Sequence, residues 1–222
     1  MTNQEIAFEH LREHIKEMME LVQRQLNDSK EAFFSYDTDL ANQIIHIENR
    51  VNALEISVNK ECENILALFH PLATDLRYVM AVLSVSAQLE RIGDHAEAIA
   101  KYIRKGTLAG SPEPLLLAAV QLETLFQVSM SMLDDVIYGF LMEDIKISKL
   151  VFGKDVGLNK ISHEAPKQLA QYCRDHPEQA EACFYVFSIV KKLERVGDLT
   201  KNVAEETIFY TEAKIVKHQK KK

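Results

Sequence analysis

Tryptophan is absent from this 222-residue chain, and glycine (7) and proline (5) are scarce. A fold made of β-turns needs glycine and proline at its corners, so their scarcity excludes a turn-rich β protein and points to long helices with few breaks. Cysteine is limited to Cys62, Cys173 and Cys183, an odd number without CxxC spacing. Such a set argues for reduced, mostly buried thiols in a cytoplasmic protein and against a disulfide framework. No apolar run is long enough to form a transmembrane segment, because the most apolar stretch, residues 115–133, is interrupted by Gln121, Glu123 and Gln127. Met1 to Glu20 is studded with charge, so no signal peptide is expected. The net charge of −7 excludes nucleic-acid binding over a broad basic surface. Positive charge is concentrated only at the end, in Lys214, Lys217, His218, Lys220, Lys221 and Lys222. Two readings of that tail stand: a frayed, solvated end, or a contact with anionic lipid or an acidic partner face. No nucleophile elbow, Gly-rich phosphate loop or HExxH motif occurs, so catalysis is not expected.

What the chain does contain is helical periodicity. Ile6, Leu11, Ile15, Met18, Met19, Val22 and Leu26 recur mostly at spacings of three and four, giving one amphipathic helix. It either ends near Asn27, Asp28 and Ser29 or continues through them. A second helix runs from Thr38 through Ile44, Ile47, Val51, Leu54, Val58 and Leu66, and Pro71 punctuates the chain. A third continues to Ile103 and stops at Arg104, Lys105 and Gly106, a basic last turn followed by a candidate C-cap glycine. The stretch from Gly106 to Pro114 carries two glycines, two prolines and a serine, and reads as a linker. Three further helices are expected: Leu115 to Phe140, Ile145 to Tyr172, and Pro177 to Phe209. Pro166, inside the second of these, predicts a kink or break.

The two halves repeat. Leu89-Glu90-Arg91-Ile92-Gly93-Asp94 matches Leu193-Glu194-Arg195-Val196-Gly197-Asp198 at an offset of 104 (194 − 90). Upstream, Asp37 matches Asp144 and Asn52 matches Asn159, at an offset of 107 (159 − 52). The difference falls where the second and third helices of each half must be joined, and an indel at a turn is what a duplication leaves behind. The expected fold is all-α, two tandem three-helix bundles sharing a long interface. The first occupies residues 1–106, the linker 107–113, the second bundle 114–213, and the basic tail 214–222.

The repeated motif carries the chemistry. Glu90 and Asp94, and again Glu194 and Asp198, stand four apart, which puts each pair on one helical face about 40° apart. A glycine precedes each aspartate. Glycine inside a helix costs about 1 kcal/mol relative to alanine, so Gly93 and Gly197 call for close approach of a neighbouring helix or a ligand. On the preceding helices Glu48 with Asn52, and Asp155 with Asn159, offer further oxygens at the same spacing, and Asn202 extends the stripe beyond Asp198. If these faces meet, each copy gathers three carboxylates, which repel one another unless protonated or neutralised by a cation. The site suits Mg²⁺, Mn²⁺ or Ca²⁺, with iron or zinc as further options. The alternative is that these acids are solvated surface charges.

The phrase Pro71-Leu72-Ala73-Thr74-Asp75-Leu76-Arg77, with the LERIGDHA run at Leu89 to Ala96 and LERVGD from Leu193, resembles the PhoU family over nearly the whole chain, duplication included. The resemblance implies two three-helix bundles side by side, with Glu90, Asp94, Glu194 and Asp198 binding metal together with Glu48 and Asp155. It also implies a negative regulator of phosphate uptake and of the phosphate-starvation response, acting through the ATPase of a phosphate ABC transporter and a phosphate-sensing histidine kinase. Such a protein is cytoplasmic, peripheral at the inner membrane face through its partners, and able to pair as a homodimer. This sequence departs from the family at Ala98, where asparagine is common, and at Glu48, where aspartate is common. The first face is therefore expected to be the weaker.

Two other functions compete: a carboxylate-bridged dimetal enzyme and a metal-free scaffold. Dimetal bundles use an ExxH pair, but Gly93 and Gly197 stand three residues after the two glutamates. Asp75 and Arg77 read either as dipole and ion-pair residues at a helix start or as a partner contact, since Gln179 and Glu181 replace them in the second half. His10 and His14 read as a solvated pair, and His95 as a residue of the helix flank.

Overall fold

Each amphipathic stripe in the sequence becomes a helix in the computed structural model, which describes residues 1–106 and 113–214. The first bundle consists of α1 (Asn3–Ser35), α2 (Thr38–Phe69) and α3 (Ala73–Arg104). The second consists of a short α4 (Pro114–Ala119), then α5 (Leu122–Leu141), α6 (Ile145–Asp175) and, after a single 3-10 turn at Pro177–Gln179, α7 (Ala180–Glu212). There is no strand among the described residues. Residues 107–112 of the expected linker and 215–222 of the expected tail lie outside the described residues. Cys62 and Cys183 are buried and Cys173 half-buried, all three as free thiols.

The duplication is visible at the helix corners. Asp37 caps α2 by accepting from the N–H groups of Asp39 and Leu40 at 2.9 Å, and Asp144 caps α6 by accepting from Lys146 and Ile147 at 2.9 and 3.2 Å. An aspartate at this position satisfies donors that the first helical turn leaves open. The residue before each cap, Tyr36 or Glu143, has φ of 55°, and each aspartate N–H closes onto a carbonyl five residues back, of Ala32 or Gly139.

Four expectations of helix extent are corrected or resolved. The first helix runs through Asn27, Asp28 and Ser29 to Ser35, with the buried Ser29 hydroxyl turned back onto the Leu26 carbonyl at 2.8 Å. The helix expected from Leu115 to Phe140 is broken at Gln121, where φ is 51°. Val120 and Leu122 are both buried, and residues two apart point to opposite sides of one straight helix. α6 runs through Pro166 without a break, with Pro166 itself on an exposed position. The last helix starts at Ala180, leaving Pro177 in the preceding turn.

The halves join along α3 and α7. Arg77 Nε donates to the Tyr210 carbonyl at 3.1 Å, Ser84 to Glu206 at 2.8 Å, Asn202 to Gln88 at 3.0 Å, and the Tyr102 and Ser188 hydroxyls bond at 2.8 Å. Residue numbers rise on one helix as they fall on the other, so α3 and α7 are antiparallel. Ser188 is the repeat mate of Ser84 and Glu206 that of Tyr102, both at the offset of 104 (188 − 84; 206 − 102), so the interface carries an approximate two-fold symmetry between the repeats. The core is continuous from Leu11 and Ile15 on α1, through Val85, Leu89 and Ile92, to Val186, Leu193 and Val196.

Candidate metal centre

Ile44, Glu48 and Val51 lie on one face of α2, so the helical phase that buries the two apolar residues carries Glu48 inward, to 3% exposure. Its partner is Gln25, which stands in the buried stripe of α1 beside Val22, Leu26 and Ser29. Gln25 Nε2 donates to Glu48 Oε2 at 2.8 Å and to the Ile44 carbonyl at 3.4 Å. Gly93 on α3 makes the room for this pair: a Cβ there would lie 2.7 Å from Glu48 Oε2 and 2.9 Å from Gln25 Oε1. The remaining oxygens, Glu48 Oε1 and Gln25 Oε1, are buried without a hydrogen-bond partner.

Negative charge surrounds that orphaned oxygen. Burial, followed by Asp94, Glu97 and Glu90, pushes the Glu48 carboxyl up to about 7 against the opposing hydrogen bond from Gln25. Glu90, half-buried, is also raised, first by burial and then by Asp94 and Glu55. Asp94 is exposed on the flank of α3. Lys101 pairs with Glu97, but among the described residues no lysine or arginine lies within ion-pair distance of Glu48, Glu90 or Asp94.

The α6–α7 face has the same acids and a different counter-charge. Asp155 is 7% exposed, and a Cβ on Gly197 would lie 3.0 Å from Leu158 Cδ2 and 3.7 Å from Asp155 Oδ1. Lys201 Nζ donates to Asp155 Oδ2 at 3.1 Å and to Asp198 Oδ1 at 3.4 Å. Burial opposes the Lys201 charge, yet the hydrogen bond and attraction from Asp155, with help from Asp198, raise its pKa above that of an ordinary lysine. Glu194 accepts from the Ser162 hydroxyl and the Lys191 ammonium. Burial raises the Glu194 carboxyl, but these two donors outweigh it and hold it below its usual range. Asp155 Oδ1 stays buried without a partner.

The asparagines do not converge on these acids. Asn52 is exposed, Asn159 half-buried, and Asn202 is turned to Gln88 across the bundle interface. Asp75 is exposed in the first turn of α3, whereas Arg77 closes the C-terminal end of α7 through the Tyr210 carbonyl. His14 is engaged by Glu61, with Nδ1 and Oε1 2.7 Å apart, and His95 is half-buried on the flank of α3. Among the described residues, no three His, Cys, Asp or Glu side chains are gathered closely enough to hold a metal ion as they stand.

The two faces therefore fit a cation unequally. Each face holds one buried carboxylate oxygen without a partner, Glu48 Oε1 and Asp155 Oδ1, but the charges that act on Glu48 are those of the acids Asp94, Glu97 and Glu90, the donor chemistry that a hard divalent ion satisfies. On α6–α7 lysine ammonium groups already stand where that charge would go. Gln25, Ser162, Lys191 and Lys201 are the participants that the sequence reading missed. Gln25 had left a signal, as a polar residue inside an apolar stripe. Lys201 had left another, as a lysine where the first repeat has Glu97 (201 − 97 is again 104).

The chain matches the family model described as PhoU domain twice, over residues 15–103 and 122–207. It is 32% identical over 202 residues to a phosphate-specific transport system accessory protein PhoU homolog from Burkholderia sp, covering 91% of this chain and 86% of the relative. A homolog of the same description from Aquifex aeolicus is 30% identical, covering 95% of this chain and 94% of the relative. The crystal structure of PhoU from Pseudomonas aeruginosa superimposes with a TM-score of 0.88 at 27% identity, covering 95% of this chain and 99% of that one. A phosphate transport system regulatory protein PhoU from Streptococcus pneumoniae, at 24% identity and a TM-score of 0.84, shares the fold.

Proposed function

The chain belongs to the PhoU family, and from that premise we propose that it is a metal-binding accessory regulator of phosphate transport. Glu48, Glu90 and Asp94 take a divalent or iron cation between α2 and α3. The observation that carries this reading is the buried, partnerless Glu48 Oε1 beside Glu90 and Asp94, three acids that form no ion pair with a lysine or arginine among the described residues. A bound cation would supply the positive charge that these acids lack and so tie α2 to α3.

Each side chain has a distinct part. Gln25 fixes Glu48 through Oε2 and leaves Oε1 directed away from that bond. Gly93 keeps the helices close enough for Glu48 to lie against α3. Glu90 and Asp94 bring charge from the half-buried and exposed flank of α3, which leaves an approach from solvent.

The regulatory role follows from the relatives, whose names place them as accessory proteins of a phosphate-specific transport system. We assign this chain the same kind of non-catalytic role, exerted by contact with the transporter ATPase and the phosphate-sensing kinase. Its working place is then the inner face of the membrane, reached through those partners, since no described helix is long and apolar enough to cross one.

The test is co-purification of tag-free protein with the transporter ATPase and the kinase, in the presence of Mn²⁺ and after chelation, alongside elemental analysis. Retention of both partners by the metal-loaded parent, with weaker retention by Glu90→Ala/Asp94→Ala, supports the reading. A parent that carries no metal under permissive loading removes the metal part, and one that captures neither partner removes the regulatory part.

A further inference from the structure

The carboxylate that begins each face is matched between the repeats, but the residue one turn beyond the ExxxD pair is not. At the offset of 104, Glu97 of the first repeat corresponds to Lys201 of the second, and Lys101 to Glu205. The order of charge along α3 and α7 is exchanged. The consequence is local. In the first repeat Glu97 adds negative charge beside Glu48, whereas in the second Lys201 reaches back to Asp155 at 3.1 Å and Asp198 at 3.4 Å.

The inter-helix register shows why Lys201 reaches its target. Ser162 meets Glu194, Leu158 lies against Gly197, and Asp155 meets Lys201, so α6 and α7 run antiparallel with Asp155 level with the turn that holds Lys201. A lysine stem on that turn lays its ammonium between the two aspartates, and Lys191 does the same for Glu194 from the other side. Both acidic groups of the α7 motif, and the buried acid of α6, thus have an ammonium partner supplied by the chain itself.

Building on the proposed cation site between α2 and α3, we infer that Lys201 is a built-in counter-ion that takes the place of a metal in the second repeat, so that this chain binds metal only at its first. The two bundles then differ in kind. The α2–α3 contact depends on cation supply, and the α6–α7 contact is closed whether or not metal is present. This reverses the ranking drawn from Ala98 and Glu48. The asparagine that distinguishes the second motif, Asn202, is spent on Gln88, and the lysine beside it decides the site.

The experiment is Mn²⁺ loading, followed by desalting and elemental analysis, of the parent, Glu90→Ala/Asp94→Ala, Glu194→Ala/Asp198→Ala, Lys201→Gln and Lys201→Glu. Circular dichroism confirms that each is folded. The first double variant loses the metal of the parent, the second keeps it, and Lys201→Gln takes up more Mn²⁺ per chain than the parent. Lys201→Glu, which copies the first repeat, does the same if Lys201→Gln is poorly folded. A parent that loses its metal in Glu194→Ala/Asp198→Ala, or lysine variants with unchanged uptake, overturns the inference. A parent without metal defeats the α2–α3 site, and a gain of metal by Lys201→Gln in that case still upholds the role of Lys201. Hydrogen exchange gives a second readout: chelation speeds amide exchange more in α2 and α3 than in α6 and α7, and equal acceleration in both pairs counts against the assignment.

Discussion

Glu48 shows how one residue couples packing to charge. Its carboxyl is lifted from an ordinary 4.5 to about 7, first by burial, so the folded chain holds that proton more tightly than the unfolded chain does. The sign follows by linkage: the stability contributed by Glu48 is fully present below about pH 4.5 and is lost as pH rises through about 7. The loss amounts to roughly 3 kcal/mol at most for a shift of this size. Metal-free protein should therefore melt at lower temperature at about pH 8 than at about pH 5 on account of this group, and Glu48→Gln should flatten that dependence. Parallel pH profiles for parent and variant would sink the argument. The glycines are separable in the same way. At Gly93 a methyl group meets two buried oxygens within 3 Å, the hydrogen-bonded Glu48 Oε2 and the unpartnered Gln25 Oε1, whereas at Gly197 it meets the end of the Leu158 side chain at 3.0 Å. Alanine regains about 1 kcal/mol of helix propensity at either site. Urea titration is expected to find Gly197→Ala near neutral and Gly93→Ala destabilised by about 1–2 kcal/mol, since displacing Glu48 from Gln25 leaves buried groups unpaired. Equal effects would mean that the glycines are not there for the reasons given.

At the scale of elements, the two helix corners record one design with its contacts redistributed. Ala32 in the first corner corresponds to Gly139 in the second, and Ala41 to Ser148, at the offset of 107 (139 − 32; 148 − 41). A Cβ on Gly139 would lie 2.2 Å from Ser148 Oγ, 3.0 Å from the Asp144 carbonyl oxygen and 3.2 Å from the Ser148 nitrogen. Gly139→Ala should therefore destabilise by about 1–3 kcal/mol through overpacking. Gly139→Ala/Ser148→Ala, which reproduces the first corner, should recover more than half of it in the same denaturant series. Lack of recovery would place the strain in the backbone contacts. Much of this level was legible in the sequence, because Asp37 and Asp144 are cap residues followed by the apolar period of a helix. The break at Gln121 was not legible, because two buried apolar residues two apart, Val120 and Leu122, also fit an unbroken helix covered on both sides, as Val79 and Ala81 of α3 are. The break that Pro166 predicts does not occur: packing of the buried residues on both sides of it, Ala165 and Leu169, holds α6 in one helix. At the candidate site the acids themselves were legible from the repeat. Which of them meet a lysine depends on the register between α6 and α7, and spacing along one helix carries no information about that.

At the scale of the whole molecule, the question is whether two repeats behave as two units or one. The α3–α7 contact joins the bundles with ordered polar pairs and rings. Tyr102 alone bonds Ser188 at 2.8 Å, packs on Tyr185 with ring centroids 5.3 Å apart, and lies under Lys192 Nζ at 5.5 Å. At the other end of the same interface Tyr78 meets Tyr210 at 5.7 Å, and Phe140 meets Tyr210 at 5.3 Å, so α3, α5 and α7 share one aromatic cluster. If the halves differ in metal dependence as proposed, the first can act on the second through this interface, the direct contact between α3 and α7. Cooperative unfolding is the measurable sign of that coupling. Tyr102→Ala removes a half-buried ring and its hydrogen bond, a loss of about 2 kcal/mol. For a chain of this length that lowers the thermal midpoint by about 4–8 °C. Calorimetry of the metal-loaded protein should show one transition that moves as a whole in the variant. A parent that already melts in two steps, or a variant in which only one of two steps shifts, would mean that the bundles are energetically independent and that metal at α2–α3 has no route to α7.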